Sequence, residues 1–358
     1  MRLSRLLLLL LLLLLAAAGC FALWLRQDLR APVAHARAND YIEIARGSST
    51  EEIIGTLQQA GVIRRSWPLL LYIRLTGAGP RLKAGEYRFP SPIAPLTVLR
   101  KLEEGQQRLA RFTVIEGWTR WDIANAMARL PELQLKDADE ALALMDDVSL
   151  ISDLDPRAKN LEGYLYPDTY SFPPDTKPRQ MIATMVERFR QIWEHELAAQ
   201  ARAQGKSAHE IVTVASLIET EAKLKDERPL MASVIYNRLA RGIPLGIDST
   251  VIYASKLAGK WRNDGKVYQS DLDRVSPYNT RRVTGLPPGP IASPHARSLS
   301  AAVQPAQTDY LYYVREPARD DGAHNFYSTD ADFQRGVQAL REWERQRDAR
   351  AAGDGTAK

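Results

Sequence analysis

From Leu6 to Leu25 every position is apolar or small, and no later stretch of the chain repeats such a run. Twenty such residues form about 30 Å of helix, enough to cross the hydrocarbon core of a bilayer. Arg2 and Arg5 precede the run and Arg26 and Arg30 follow it, so flanking charge does not set an orientation. A cleaved signal peptide has a shorter apolar region and a small-residue cleavage site, and a lipoprotein turns polar after its cysteine. Here apolar residues continue for five positions past Ala18-Gly19-Cys20, so a retained single-pass anchor is expected over 1–26, with all chemistry beyond it. A polar linker with Pro32 is expected over 27–39.

After the linker the apolar spacing shortens. Tyr41 to Ala45 alternates as a strand, Gly47-Ser-Ser-Thr50 turns, and Glu51 to Ala60 is amphipathic at helical spacing. A second helix is predicted from Ser66, with Trp67 and Pro68 in its first turn, then a strand from Gly85 to Phe89 and a helix from Thr97 to Glu104 that stops at Gly105. Ile42, Ile44, Gly47, Glu52 and Ile53 are matched seventy residues later by Phe112, Val114, Gly117, Asp122 and Ile123. Each copy reads strand, glycine turn, hydroxyl cap (Ser49, Thr119) and helix, which predicts two β–α modules in tandem. Neither copy has the further glycines or the lysine of a phosphate loop.

Pro131 to Asp155 is helical and acidic, and Arg179 to Gln204 is a long charged helix. Between them Leu161-Glu-Gly-Tyr-Leu-Tyr-Pro-Asp-Thr-Tyr170 is aromatic-rich and broken by Pro167, either one wall of a sugar-binding cleft or a packed aromatic cluster. Ser207 and Glu210 then form a capping box ahead of Ile211, Val214, Ala215, Ile218 and Ala222, a buried helical stripe. Glu219 sits beside small and apolar neighbours on that helix, where burial would raise its pKa and let it hold a proton near neutral pH. Glu221 leaves the helix about 200° away, so the two acids do not face each other.

Further on, Asp226 to Ala240 is a helix with Pro229 in its first turn, and Asp248-Ser-Thr250 caps another through Tyr253. A long irregular segment runs through Ser276-Pro-Tyr-Asn-Thr280 and Gly285-Leu-Pro-Pro-Gly-Pro-Ile291, and loops of that length tend to be functional. Ser293-Pro294 should start a helix, Tyr310 to Val314 and His324 to Tyr327 are strands, and a charged helix from Asp332 to Arg347 closes the chain before a tail.

Composition narrows the function. The 358 residues leave room for two modest domains, with ordinary charged and apolar fractions. Part of the net charge of +5 comes from the basic end of the chain, and no arginine stripe interleaves with aromatics, so nucleic acid is not an expected partner. The one cysteine, Cys20, lies in the anchor, which excludes a disulfide in the rest of the chain. His35, His195, His209, His295 and His324 form no i, i+4 ligand pair, so neither a metal nor another cofactor is expected.

Ala215-Ser-Leu-Ile-Glu219-Thr-Glu221, Val234-Ile-Tyr-Asn-Arg-Leu239, Asp248-Ser-Thr-Val-Ile-Tyr253 and the two irregular motifs above occur in one order and spacing. In this, and in the Leu161–Tyr170 motif, the chain resembles the endolytic murein transglycosylases, the MltG or YceG-like family, from Leu6 to about Trp343. It departs at Ala331-Asp-Phe-Gln334, where the family has an acidic-His-Asn segment, which leaves the role of the final helix open.

The resemblance implies an α+β fold: an N-terminal transmembrane helix, a small LysM-like β–α domain over 40–106, a larger mixed α/β catalytic domain over 107–347 and a disordered tail over 348–358. It implies a lyase of the inner membrane, with its bulk in the periplasm, that acts on peptidoglycan glycan strands beside peptidoglycan synthases (penicillin-binding proteins). In the family's reaction the muramic acid C6 hydroxyl attacks its own C1 and leaves a 1,6-anhydro end. Intramolecular attack lets one carboxyl serve as acid and base, and the family's glutamate falls on Glu219. Asn237, Ser276, Tyr278 and Asn279 are candidate partners of sugar hydroxyls or the acetamide, with Tyr166, Asp168 and Tyr253 beside them. Arg238, Asp248 and Thr250 either join them or serve as a salt-bridge partner and helix caps, and Glu221 either shapes the site's electrostatics or pairs with Lys223 or Lys225. The competing class is a non-catalytic glycan-binding scaffold that regulates wall synthases.

Overall fold

The computed structural model describes residues 2–38, 40–105, 109–319 and 321–354. They fall into two compact units, Met1–Ala110 and Arg111–Lys358. In the first, α1 (Arg2–Arg30) exposes its leucines from Leu9 to Leu15, as an apolar helix without a protein partner does. The helix does not end with the apolar run. It continues to Arg30, buries Leu29, and hands over to Val33, which bridges to Ile93, while the His35 N–H donates to Ser91 Oγ at 2.9 Å. The stretch read as a polar linker is thus built into this unit, because Leu29 and Val33 supply apolar contacts inside it. Asn39, its last residue, lies outside the described residues.

The strand β1 (Ile42–Ile44) leads into α2 (Thr50–Gln59) and α3 (Ser66–Thr76), followed by β2 (Gly85–Tyr87) and α4 (Pro95–Glu104). The two strands pair antiparallel with Ile42 opposite Tyr87 and Ile44 opposite Gly85. Ile54, Leu57, Leu69, Val98 and Leu102 close around Tyr87 and Phe89, each buried side chain contributing about 1.5–3 kcal/mol.

The boundary falls at the start of β3 (Ala110–Thr113), which pairs with β4 (Thr169–Phe172) beyond α5 (Arg120–Ala128) and α6 (Ala138–Met145). The hydroxyl caps predicted at Ser49 and Thr119 are in place, and each is completed to a reciprocal capping box, Ser49 with Glu52 and Thr119 with Asp122. They do not share a domain: each strand finds its partner within its own unit. The long charged helix appears as α7 (Pro178–Ile192), joined through a π-helical turn, Trp193–Leu197, to α8 (Ala198–Ala203).

At the centre of the second unit is α9 (Ala208–Glu221), opened by the predicted Ser207–Glu210 capping box. Ile211, Val212, Val214, Ala215, Leu217 and Ile218 are all buried, so the helix is apolar on every side, as a central helix must be. Its first turn is tied down by His209, whose Nδ1 lies 2.7 Å from Asp155 Oδ2, an oxygen that also accepts from the Tyr164 hydroxyl at 2.6 Å. Around it stand α10 (Arg228–Ala240), α11 (Asp248–Leu257), the short α12 (Gln269–Leu272) and α13 (Ala296–Val303). Of these α13 packs most extensively on α9. The antiparallel hairpin β5 (Tyr312–Arg315) and β6 (His324–Tyr327) and the terminal α14 (Asp330–Asp354) complete the unit.

Several boundaries shift from expectation, two of them with consequences near the end of the chain. The helix predicted at Ser293-Pro294 begins only at Ala296, because the backbone is still extended at the cap residue His295, where the N–H donates to a carboxylate. The last helix runs to Asp354, through part of the expected tail, and 355–358 lie outside the described residues.

Candidate active site

Glu219 lies in the last turn of α9 with its side chain 3% exposed. Its Oε1 accepts from Arg228 Nη2 at 3.1 Å and its Oε2 from the His295 main-chain N–H at 2.8 Å. Arg228 is the first residue of α10 and is itself buried, and its Nε donates to Ser298 Oγ on α13 at 3.0 Å. The end of one helix and the starts of two others therefore meet on a single carboxyl. The expected apolar setting is right about burial and wrong about charge: a guanidinium faces the carboxyl directly. Breaking such a buried pair from one side typically costs about 3–5 kcal/mol.

The second strand–turn–helix copy supplies the rest of this wall. Gly117 has φ +78°, a conformation that glycine adopts without strain, and a Cβ built on it would lie 4.0 Å from Glu219 Cγ. The Gly117 N–H donates to Ser293 O at 2.9 Å, and the Ser293 N–H donates back to Trp118 O at 2.8 Å. Next to the turn, Glu116 Oε1 is 3.7 Å from His295 Nδ1, and the His295 ring is 5.7 Å from that of Tyr166.

Glu221 faces a different set of groups, as the helical angle requires. Ser249 Oγ donates to its Oε1 at 3.1 Å and the Tyr313 hydroxyl to its Oε2 at 3.0 Å. Burial raises its pKa against those two hydrogen bonds. Of the two readings left open for Glu221, these partners are not those of a pairing with Lys223 or Lys225: they are neutral donors from α11 and β5.

The predicted aromatic lining divides in two. Tyr166 and Asp168 sit together through Arg188, whose guanidinium is 5.8 Å from the Tyr166 ring and whose Nε is 3.1 Å from Asp168 Oδ2. Tyr253 stands apart from them, between Trp121 at 5.2 Å and Tyr278 at 4.9 Å, and its hydroxyl donates to Glu162 Oε2 at 3.1 Å. Both Glu162 oxygens also accept from the Arg120 N–H, at 3.1 and 3.2 Å. Burial pushes Glu162 up to about 7, against the pull of the Arg120 N–H and charge and of Tyr253, and burial pushes the Tyr278 hydroxyl up to about 12. The adjoining Gly163 has φ +82°, and a Cβ there would come within 2.5 Å of Pro290 and 2.9 Å of Val212 on α9.

The remaining candidates are engaged by other groups of the protein, Asp248 in an exposed pair and the others at least partly buried. Asn237 Nδ2 donates to Thr308 O and Tyr310 O, both at 2.9 Å, and Asn279 Nδ2 to Leu272 O and Arg274 O, both at 2.9 Å. Among the described residues Arg238 has no salt-bridge partner: it donates to Pro244 O and Leu311 O and lies over the Tyr312 ring. Ser276 Oγ accepts from the Tyr278 N–H at 3.2 Å, a local turn. Asp248 and Thr250 do not cap α11, whose cap position is Ile247; Asp248 pairs with Arg281 at 2.6 Å, and the Thr250 hydroxyl donates to Ile247 O and meets Thr280 Oγ1 at 2.8 Å. Arg228, His295, Glu116 and Gly117 were missed as site residues. One signal was available: an arginine in the first turn of an apolar helix opposes the helix dipole and needs an acidic partner to justify its place.

An α+β unit wrapped around one central helix, with a single ion-paired carboxyl at that helix's end, is the architecture to be matched. The sequence matches the profile of the YceG-like family over residues 42–339, and the chain belongs to that family. It is 36% identical over 304 residues to the endolytic murein transglycosylase of Bacillus subtilis (strain 168), covering 80% of this chain and 81% of that protein. Identity to the endolytic murein transglycosylase of Streptococcus pneumoniae serotype 2 is 28% over 328 residues, covering 84% of this chain and 58% of the pneumococcal protein. Among solved structures, a yceG-like protein of Listeria monocytogenes superposes with a TM-score of 0.57 at 32% identity, covering 83% of this chain and 98% of that one.

Proposed function

We propose that this protein is a membrane-anchored endolytic lytic transglycosylase that cuts N-acetylmuramic acid–N-acetylglucosamine bonds within peptidoglycan strands, with Glu219 as acid and base. The observation that carries the reading is the Glu219 carboxyl, held at both oxygens in a chain 36% identical to a protein named for this activity. Protonated Glu219 gives its proton to the leaving glycosidic oxygen as the C1–O bond breaks. The carboxylate then takes the proton of the C6 hydroxyl as that oxygen bonds to C1, which closes the 1,6-anhydro ring and restores the acid. Arg228 stabilises the carboxylate between the two transfers, and the His295 N–H fixes which oxygen faces the main chain.

A side chain 3% exposed sets a condition. The 293–295 segment or the Glu116–Gly117 turn has to move aside for a sugar to reach it. The same closure favours the competing reading, a non-catalytic glycan-binding scaffold. Digestion of purified glycan strands by the full-length protein in detergent separates the two. Products lighter by one water than hydrolysed ends, absent with Glu219→Gln, support the enzyme, and no cleavage under any condition supports the scaffold. Reducing ends would mean a water nucleophile and demand a second carboxylate.

The exposed apolar α1 supports single-pass anchoring in the inner membrane with the body of the chain in the periplasm, beside the synthases that make the strands. The first unit reads as the LysM-like module that holds the strand while the second cuts it.

A further inference from the structure

We infer that α3 of the first unit lies on the surface of the bilayer that α1 crosses, with its apolar stripe turned to phospholipid. The inference rests on the reading of α1 as a membrane span. Trp67, in the first turn of α3, stacks on Trp24 with ring centroids 5.4 Å apart and on Phe21 at 6.1 Å. Phe21 and Trp24 belong to the apolar run of α1, within its last two turns. Ring contact therefore sets the depth of Trp67: level with the end of the span, where tryptophan is favoured at the boundary between acyl chains and headgroups.

From Trp67 the apolar stripe continues at i+4 and i+8 through Leu71 and Leu75. Trp67 is 43% exposed and Leu75 is 75% exposed, on a helix whose other face, Leu69 and Ile73, is fully in the core. Arg64, Arg65 and Arg74 are exposed beside the stripe, and the Arg65 guanidinium lies 5.9 Å from the Trp24 ring. Arg26 and Arg30 follow the span on α1. An apolar stripe bordered by arginines suits a surface with anionic headgroups. The attachment is stiff, because Leu29 is buried in the core of this unit with Leu25 and Leu70 packed against it. Little further ordering is needed for α3 to settle on lipid.

The test uses the full-length chain with Cys20→Ser, spin-labelled at one new cysteine and reconstituted in phosphatidylethanolamine–phosphatidylglycerol vesicles. Collisions with oxygen, concentrated in the bilayer, are compared with collisions with a water-confined nickel chelate. Leu13→Cys reports the span itself, and Val275→Cys, at a position 91% exposed in the second unit, reports water. Leu71→Cys and Leu75→Cys should show an oxygen-to-nickel ratio shifted from the Val275→Cys value toward that of Leu13→Cys. A lipid-like Leu13→Cys with water-like labels on α3 overturns the docking and leaves the anchor standing. Protection of the α3 labels from both reagents means that a protein covers the stripe, and also overturns it. A water-like Leu13→Cys removes the anchor reading, and the docking with it.

Discussion

Glu219 and Glu162 are both buried carboxyls that accept a main-chain N–H, yet they differ in the second partner. Glu219 has a guanidinium, from Arg228, and Glu162 has a neutral hydroxyl, from Tyr253. A cation compensates a buried negative charge, whereas a hydroxyl only solvates part of it. Burial accordingly pushes Glu162 up to about 7. The two carboxyls share depth and a main-chain donor and differ in the group that meets their other hydrogen-bonding site.

The largest effect expected is on Glu219. Glu219→Gln keeps the shape but can neither give nor take a proton, and cleavage should fall by roughly 10²–10⁴-fold or more, measured as anhydro-ended product per unit time. Next comes Arg228→Met, which leaves the carboxylate uncompensated and should lower stability in urea by about 3–5 kcal/mol. The double variant with Glu219→Gln should lose clearly less than the sum of the two single losses, since the charge that needed compensation is gone.

Glu162 tests the other side of the comparison. Its folded pKa lies above the ordinary 4.5, so the stability it contributes is full below about pH 4.5 and is lost as pH rises through about 7. The shift corresponds to about 3 kcal/mol over that window. Glu162→Gln should flatten the fall in stability between those pH values, and an unchanged pH profile would show that Glu162 does not carry it. The smallest effect is expected of Glu221→Gln, which keeps an acceptor for one of Ser249 and Tyr313 and sets an amide donor opposite the other hydroxyl, which can rotate to accept from it; it should cost about 1 kcal/mol of stability, with cleavage nearly retained.

Local signals were legible where the chain solves a problem with its own neighbours. The apolar run of α1, the hydroxyl caps at Ser49 and Thr119, the capping box at Ser207 and the buried stripe of α9 all follow from spacing within a few residues. The partners of Glu219 were not legible, because Arg228 and His295 come from two other helix starts that only the packing of α9, α10 and α13 brings together. Asn237 and Asn279 looked like sugar-binding amides, but an amide with free donors reads the same in sequence as one engaged by Tyr310 O or Arg274 O. Asp248 looked like a cap, but the cap position falls one residue earlier, at Ile247, and Asp248, the first residue of the helix, pairs with Arg281. The tandem repeat was visible, but not that its second glycine turn borders Glu219.

The contact between position 295 and Glu219 is made by a peptide N–H, which every amino acid except proline carries. An alanine scan would pass over it in silence, reporting on the imidazole and leaving the donor in place. Nor can the contact be lost by ordinary drift at that codon, since nearly any substitution preserves it. Removing it takes a change in the backbone itself, an ester in place of the amide or a proline at 295.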